Sequence, residues 1–252
     1  MRFTKMQGLG NDYLYFDCPP PEDAPALSRR LSDRHFGPGA DGLIFIGPSD
    51  LADFRMWIFN ADGSEAEMCG NGIRCVGKYV YDRGLTDKTE LLIETGAGLR
   101  RLRLHPEHGI ITSVTVDMGH ARITPGDTGD LVDVGNPHLV RFVPDAEDEA
   151  LLPQGSALCA SVPGGINVEF VQVLGPNRLR MRVWERGSGI TLACGTGACA
   201  SVAAAVKRGL CRQGEPVSVL LDGGELRITA DARGALCMEG PAETVYEGET
   251  EA

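Results

Sequence analysis

The sequence is short of basic residues. Lys and Arg number 24 against 35 Asp and Glu, for a formal net charge of −11. That balance argues against a nucleic-acid surface, because phosphate binding needs a basic face. The chain also lacks any apolar run near the roughly 18–20 residues that span a bilayer. Its first residues, Met1-Arg2-Phe3-Thr4-Lys5, lead into a strand-like pattern without the apolar core of a signal peptide. The expectation is a cytoplasmic protein with no membrane or nucleic-acid partner. Metal-ligand spacing is absent as well. Cys69/Cys75 and Cys194/Cys199 are too widely spaced for a Cys-x-x-Cys knuckle, and no His-x-x-x-His accompanies them.

What is present fits a globular chain. The 252 residues, 42% of them apolar, suffice for one large domain or two of ordinary size. Without an export signal, the 8 cysteines read as reduced thiols rather than a disulfide framework. Cys18, Cys75, Cys159, Cys199, Cys211 and Cys237 are expected to be buried small hydrophobes. Cys69 and Cys194 have different surroundings.

The chain repeats itself. Displaced by 125 positions, Gly10-Asn11 falls on Gly135-Asn136, Gly39 on Gly164 and Phe45 on Phe170. Phe54, Met56 and Ile58 fall on Leu179, Met181 and Val183, Cys69-Gly70 on Cys194-Gly195, and Arg83-Gly84-Leu85 on Arg208-Gly209-Leu210. One gapless offset serves the whole series, which predicts two domains of like fold. Alternation in Leu179-Arg180-Met181-Arg182-Val183 predicts a strand with one apolar face. Ile73–Asp82 and Ala198–Lys207 read as helices that open at Cys-Gly-x-Gly and stop at Arg-Gly. Short strands are expected after them, at 90–95, 99–104, 217–221 and 226–229. The fold class is therefore α+β: two pseudo-symmetric domains, each a strand-rich layer or barrel around a central helix, with the active site in the cleft between them. The expected division is 1–115, completed by about 240–252, and 116–239.

A helix N-terminus presents free N–H groups and about half a positive charge. Cysteine there tends towards thiolate, the glycines allow close approach to the backbone, and a carboxylate fits the same place. One such segment is weak evidence; two at matching places in duplicated halves are a stronger signal. If the halves face one another, two thiols flank one carbon. One removes a proton and the other returns one to the opposite side, inverting the centre. The carbon acid beside a carboxylate is far weaker than a thiol of pKa about 8.5. Such a site must stabilise the carbanion, and helix N-termini aimed at the carboxylate do so as charge develops.

The run Phe59-Asn60-Ala61-Asp62-Gly63-Ser64-Glu65-Ala66-Glu67-Met68-Cys69-Gly70-Asn71-Gly72 resembles the signature of the diaminopimelate epimerase family. So do Lys5-Met6-Gln7-Gly8-Leu9-Gly10-Asn11-Asp12, Gly135-Asn136-Pro137-His138, Asn167-Val168-Glu169-Phe170, Glu185-Arg186-Gly187 and Ala193-Cys194-Gly195-Thr196-Gly197, in family order along nearly the whole chain. The resemblance implies inversion of LL-diaminopimelate to the meso form without pyridoxal phosphate, metal or other cofactor, a step of lysine and peptidoglycan-precursor synthesis. It implies a homodimer. By carry-over, Cys69 and Cys194 are the two bases, and the N–H groups at Gly70-Asn71 and Gly195-Thr196 hold the reacting carboxylate. Asn11, Asn60, Asn136, Asn167 and Arg186 grip the distal end, with Arg186 on its carboxylate. Glu185 helps hold the amino groups, and His138 lies near the thiols. Residue chemistry agrees: amides supply donors and acceptors, and Arg clamps a carboxylate. Each Asn also suits a turn, and His138 equally suits a structural hydrogen bond.

Two positions depart from the family pattern. Gln7 stands where His is usual. Ile190 stands where Glu is usual, while its repeat partner Glu65 keeps the acid. Loss of that carboxylate predicts a Cys194 at least as acidic as Cys69. Two other readings remain open: a cofactor-free racemase of another amino acid, of the proline or histidine racemase kind, and a non-catalytic amino-acid-binding redox sensor.

Overall fold

The computed structural model describes residues 1–251. The chain divides into two compact units, Met1–Val116 with Gly240–Ala252, and Asp117–Glu239. In order, the first unit carries β1 (Arg2–Gly8), β2 (Asn11–Phe16), α1 (Ala24–Ser32), β3 (Gly42–Gly47), β4 (Phe54–Asn60), β5 (Glu65–Ala66), α2 (Gly70–Asp82), β6 (Glu90–Thr95), β7 (Gly98–Glu107) and most of β8 (Ile110–His120). The second carries β9 (Arg122–Thr124), β10 (Asp130–Asp133), β11 (Pro137–Phe142), α3 (Leu151–Ser161), β12 (Asn167–Gly175), β13 (Arg178–Glu185), β14 (Gly189–Ile190), α4 (Gly195–Lys207), β15 (Pro216–Leu221), β16 (Gly224–Ala230) and most of β17 (Ala235–Pro241). β18 (Glu243–Glu249) belongs to the first unit. No helix among the described residues is long and apolar enough to cross a membrane.

The two units follow one strand plan. In the first, β1–β2 is antiparallel, β2–β3 parallel, β3–β4 antiparallel, β4–β6 parallel, and β6–β7–β8 antiparallel. In the second, β10–β11 is antiparallel, β11–β12 parallel, β12–β13 antiparallel, β13–β15 parallel, and β15–β16–β17 antiparallel. The 125-residue displacement holds in the ladder itself: Tyr13 pairs with Gly42, and His138 pairs with Asn167.

Each sheet wraps one buried helix. In α2 every residue from Gly70 to Val80 is buried, Arg74 and Lys78 included. Buried cations require partners. Arg74 donates to Pro241 O, Gly70 O and Asn71 Oδ1, at 3.1, 3.2 and 3.0 Å. Lys78 Nζ reaches Asp82 Oδ2 at 2.6 Å and Ile111 O at 2.7 Å. Helix α4 buries Ala198, Ala200, Ala203, Ala204 and Ala205, small side chains that let the surrounding strands approach. Both helices stop as the Arg-Gly pairs predict. Arg83 and Arg208 cap them, and Gly84 (φ +70°) and Gly209 (φ +72°) take the left-handed conformation that ends a helix cheaply.

A second helix in each unit was not expected. Helix α1 packs on β3 and β4, with Leu27 and Leu31 joining Leu14, Phe16, Leu43, Phe45 and Phe59 in one core. Helix α3 packs on β12 and β13, where Leu151 meets Leu139, Ile166, Val168 and Phe170. Each unit is therefore a sheet with a central helix on one face and a short helix on the other. The cysteines also depart from expectation. Cys75, Cys199 and Cys211 are buried, Cys18 and Cys159 are half-buried, and Cys237 is exposed. Cys237 lies in β17 between Leu236 and Met238, both fully buried. Alternation therefore turns it outward.

Candidate active site

Both cysteines of interest are helix N-caps in extended backbone. Cys69 has φ −137° and ψ 116°, and Cys194 has φ −126° and ψ 108°. In this conformation the side chain folds back over the first turn, as a capping Ser or Asp does. Gly72 N–H donates to Cys69 Sγ at 3.3 Å, and Gly197 N–H to Cys194 Sγ at 3.4 Å. Each sulfur thus receives a donor that favours thiolate. Both glycines pack closely. A β-carbon at Gly72 would lie 2.7 Å from Ile44 Cδ1, and one at Gly197 would lie 2.7 Å from Glu169 Oε1 and 3.2 Å from Cys194 Sγ.

In the first unit the Cys69 thiol donates to Asn11 Oδ1 at 3.3 Å. Asn11 is turned that way by its other end, since its Nδ2 donates to Asp41 Oδ2 at 2.8 Å. Arg34 holds Asp41 in turn, with Nη2 to Oδ1 at 2.9 Å. The Tyr13 hydroxyl also hydrogen-bonds the thiol; burial, then the Cys69 charge, pushes this phenol well above its ordinary value. Asn71 turns its side chain back to Arg74, leaving its backbone N–H at the helix start. Asn60, at the end of β4, donates from Nδ2 to Ser64 Oγ at 3.0 Å, a turn contact that does not join it to Cys69. Burial raises the Cys69 thiol, opposed by Gly72 N–H, Tyr13 and Asn71 N–H.

In the second unit Cys194 is more enclosed, at 5% exposure. Thr196 Oγ1 lies 3.5 Å from its sulfur and 3.4 Å from Asn136 Nδ2. Asn136 Oδ1 is 3.0 Å from His138 Nε2. His138 Nδ1 lies 2.6 Å from Glu169 Oε1, with both side chains fully buried. Glu185 ends β13, where its carboxylate accepts from Thr191 Oγ1. Burial raises the Glu185 carboxyl, opposed by hydrogen bonds from Thr191 and Cys194. Asn167 Oδ1 accepts from Arg186 N at 2.9 Å, and its Nδ2 donates to Pro137 O at 3.2 Å. The Arg186 side chain is exposed, with Nη1 3.4 Å from Gly164 O.

The Cys194 thiol is pushed well above its ordinary value, by burial first and then by the Glu185 and Glu169 charges, and the Cys69 thiol is raised by burial. Ile190 sits exposed opposite Trp184, and Glu65 sits exposed opposite Phe59. The charges that act on Cys194 come instead from strands β12 and β13. The repeat could have indicated this: Glu169 replaces Ile44 and Glu185 replaces Asn60, while Tyr13 stands where the second unit has His138. Tyr13 and Asp41 were not singled out in advance because no motif spacing marks them, and Glu169, within the Asn167-Val168-Glu169-Phe170 run, was given no role.

The comparisons with known proteins cover this whole arrangement. A family model described as diaminopimelate epimerase matches residues 3–124 and 131–245. A diaminopimelate epimerase of Bacteroides thetaiotaomicron is 51% identical, covering 100% of this chain and 98% of the relative. One from Methanococcus maripaludis is 45% identical, with 99% of each chain covered. In fold, the chain is similar to a hydroxyproline epimerase of Agrobacterium vitis (TM-score 0.73, 18% identity, 98% of this chain and 91% of that one). It is also similar to a phenazine biosynthesis protein of Bacillus anthracis (TM-score 0.80, 15% identity, 100% and 99%). Solved structures this distant establish the fold alone, whereas the family model spans both cysteine-capped helices, and the chain belongs to the diaminopimelate epimerase family.

Proposed function

We propose that the protein is an isomerase that interconverts LL- and meso-diaminopimelate by two-base proton transfer at the α-carbon, supplying lysine and peptidoglycan-precursor synthesis. Cys69 and Cys194 are the two bases. The observation that carries this reading is the pair of thiols capping equivalent helices, each sulfur beneath a backbone N–H of its own first turn.

In the reaction one cysteine is thiolate and the other thiol. The thiolate takes the α-proton, leaving the electron pair on carbon and in the adjoining carboxylate. The second thiol returns a proton to the opposite side, so the enzyme finishes with thiol and thiolate exchanged. The N–H groups at Gly70-Asn71 and Gly195-Thr196 receive the carboxylate, where two helix N-termini oppose its growing negative charge. Glu185 receives an ammonium group. Asn11, Asn60, Asn136 and Asn167 supply amide donors and acceptors to the distal end, and the exposed Arg186 guanidinium takes its carboxylate. His138 supports the second thiol. Each unit serves as one half of the enzyme, divided as 1–115 with about 240–252, and 116–239. The partner is a small-molecule amino-acid substrate, the site of action is the cytoplasm, and the family resemblance points to a homodimer.

The test is proton exchange in heavy water. LL-diaminopimelate incubated with reduced protein should take up deuterium at the α-carbon as the meso isomer appears, followed by NMR. Both Cys69→Ala and Cys194→Ala should abolish conversion. Absence of exchange by reduced wild-type protein removes diaminopimelate as the substrate. Exchange of another amino acid would then favour a different racemase.

A further inference from the structure

Glu169 is the feature of the second unit that the two-thiol reaction does not use. It lies in β12 with no solvent exposure, directly beneath the first turn of α4, where a β-carbon on Gly197 would strike its carboxylate. The equivalent position beneath α2 is Ile44. A carboxylate therefore replaces a hydrocarbon in an otherwise repeated core. Burying such a group is costly unless it is paired. Oε1 has one partner, His138 Nδ1 at 2.6 Å. Oε2 has no hydrogen-bond partner among the described residues.

From that carboxylate a single file of contacts leads to the thiol. It runs from Glu169 Oε1 to His138 Nδ1 (2.6 Å), and from His138 Nε2 to Asn136 Oδ1 (3.0 Å). It continues from Asn136 Nδ2 to Thr196 Oγ1 (3.4 Å), and from Thr196 Oγ1 to Cys194 Sγ (3.5 Å). Each member has two ends, and fixing one end fixes the other. Asn136 Oδ1 can only accept, so His138 Nε2 carries a hydrogen toward it, and the short contact between Nδ1 and Oε1 holds a further proton between them. The Asn136 amide is forced to present its oxygen to the ring and its NH2 to Thr196. The Thr196 oxygen thus accepts from Asn136, which leaves its O–H free to point at sulfur. In the first unit the matching Asn11 is oriented differently, by Asp41 and Arg34.

We propose that Glu169 is a positioning residue for the second thiol: it holds His138 in the Nε2–H form and so sets the Asn136 amide and the Thr196 hydroxyl beside Cys194. The proposal rests on the two-thiol reading above for its link to turnover, but not for its structural content.

The test uses the full chain with Glu169→Gln and Glu169→Ile. In Glu169→Ile the file loses its anchor, and kcat should fall about tenfold to a hundredfold, the loss of one charged hydrogen bond, with KM little changed. Glu169→Gln keeps one hydrogen bond of the same shape and should recover part of that loss. Nitrogen-15 NMR of histidine-labelled protein is the second readout. Wild type should show His138 bearing hydrogen at Nε2 and a downfield proton shared between Nδ1 and the Glu169 carboxylate. The downfield proton should vanish in Glu169→Gln, and both tautomers should appear in Glu169→Ile. Unchanged His138 signals, or unchanged kcat in folded Glu169→Ile, would overturn the proposal. If Glu169→Ile does not fold, Glu169→Gln decides through the NMR signals. If wild type fails to turn over diaminopimelate, the substrate reading fails, and the histidine spectra still decide the role of Glu169.

Discussion

Cys75 contributes nothing to the proposed chemistry, yet it makes a measurable demand on the fold. It is fully buried in α2, and burial pushes its thiol from an ordinary value of 9.0 to about 11. In the unfolded chain the thiol loses its proton near the ordinary value. Between the two values the folded state binds more protons than the unfolded state, so stability falls as pH rises. The loss begins near pH 9 and is complete near pH 11, amounting to about 3 kcal/mol at 1.36 kcal/mol per unit. Cys75→Val should flatten that part of the alkaline stability profile in urea titrations at several pH values. An unchanged slope would mean that Cys75 does not hold its proton in the folded protein. Cys69 and Cys194 add losses of the same sign, since both are also raised.

At the scale of the element, the two central helices differ in what lies under their first turns. Gly72→Ala places a methyl against Ile44 Cδ1, the free end of a flexible side chain. Gly197→Ala places it against Glu169 Oε1, which is bonded to His138, and near Cys194 Sγ. Ile44 can rotate away; Glu169 cannot move without breaking its bond. Overpacking of this kind costs about 1–3 kcal/mol. Gly197→Ala should therefore lower both proton exchange and melting temperature more than Gly72→Ala. Equal losses in the two variants would contradict the asymmetry. The same elements show what was legible beforehand. The central helices announced themselves by Cys-Gly-x-Gly at one end and Arg-Gly at the other, and the strands following them by alternation. The outer helices did not. α1 has Pro in its first turn and spans only Ala24–Ser32, while α3 contains Pro153 and Gly155, poor helix formers. Both owe their existence to packing on a sheet that no local pattern reveals. The surroundings of Cys194 were misread for a related reason. Ile190 is near Cys194 in sequence but lies exposed, whereas Glu169 is distant in sequence and is brought under α4 by strand order.

At the scale of the molecule, the first unit is discontinuous. β18 pairs antiparallel with β1, from Arg2 opposite Glu249 to Gln7 opposite Glu243. Phe3 meets Tyr246 edge-on at 5.9 Å between ring centroids and leaves no room for a β-carbon on Gly248. Truncation before Glu243 should strip β1 of that partner and expose Phe3. The thermal transition should then become lower or biphasic, with the contiguous unit Asp117–Glu239 melting separately. A single transition at the wild-type temperature would show that β18 contributes nothing to stability. The discontinuity also sets an order of events during synthesis. The second unit is one uninterrupted stretch and has all its strands once β17 leaves the ribosome. The first unit, although made earlier, waits for its last strand, with β1 held as an open edge throughout. An unpaired edge is a template for joining other chains. The interval between making β1 and making β18 is therefore when a nascent chain is most exposed to misassembly, and slow elongation over Asp117–Glu239 would lengthen it.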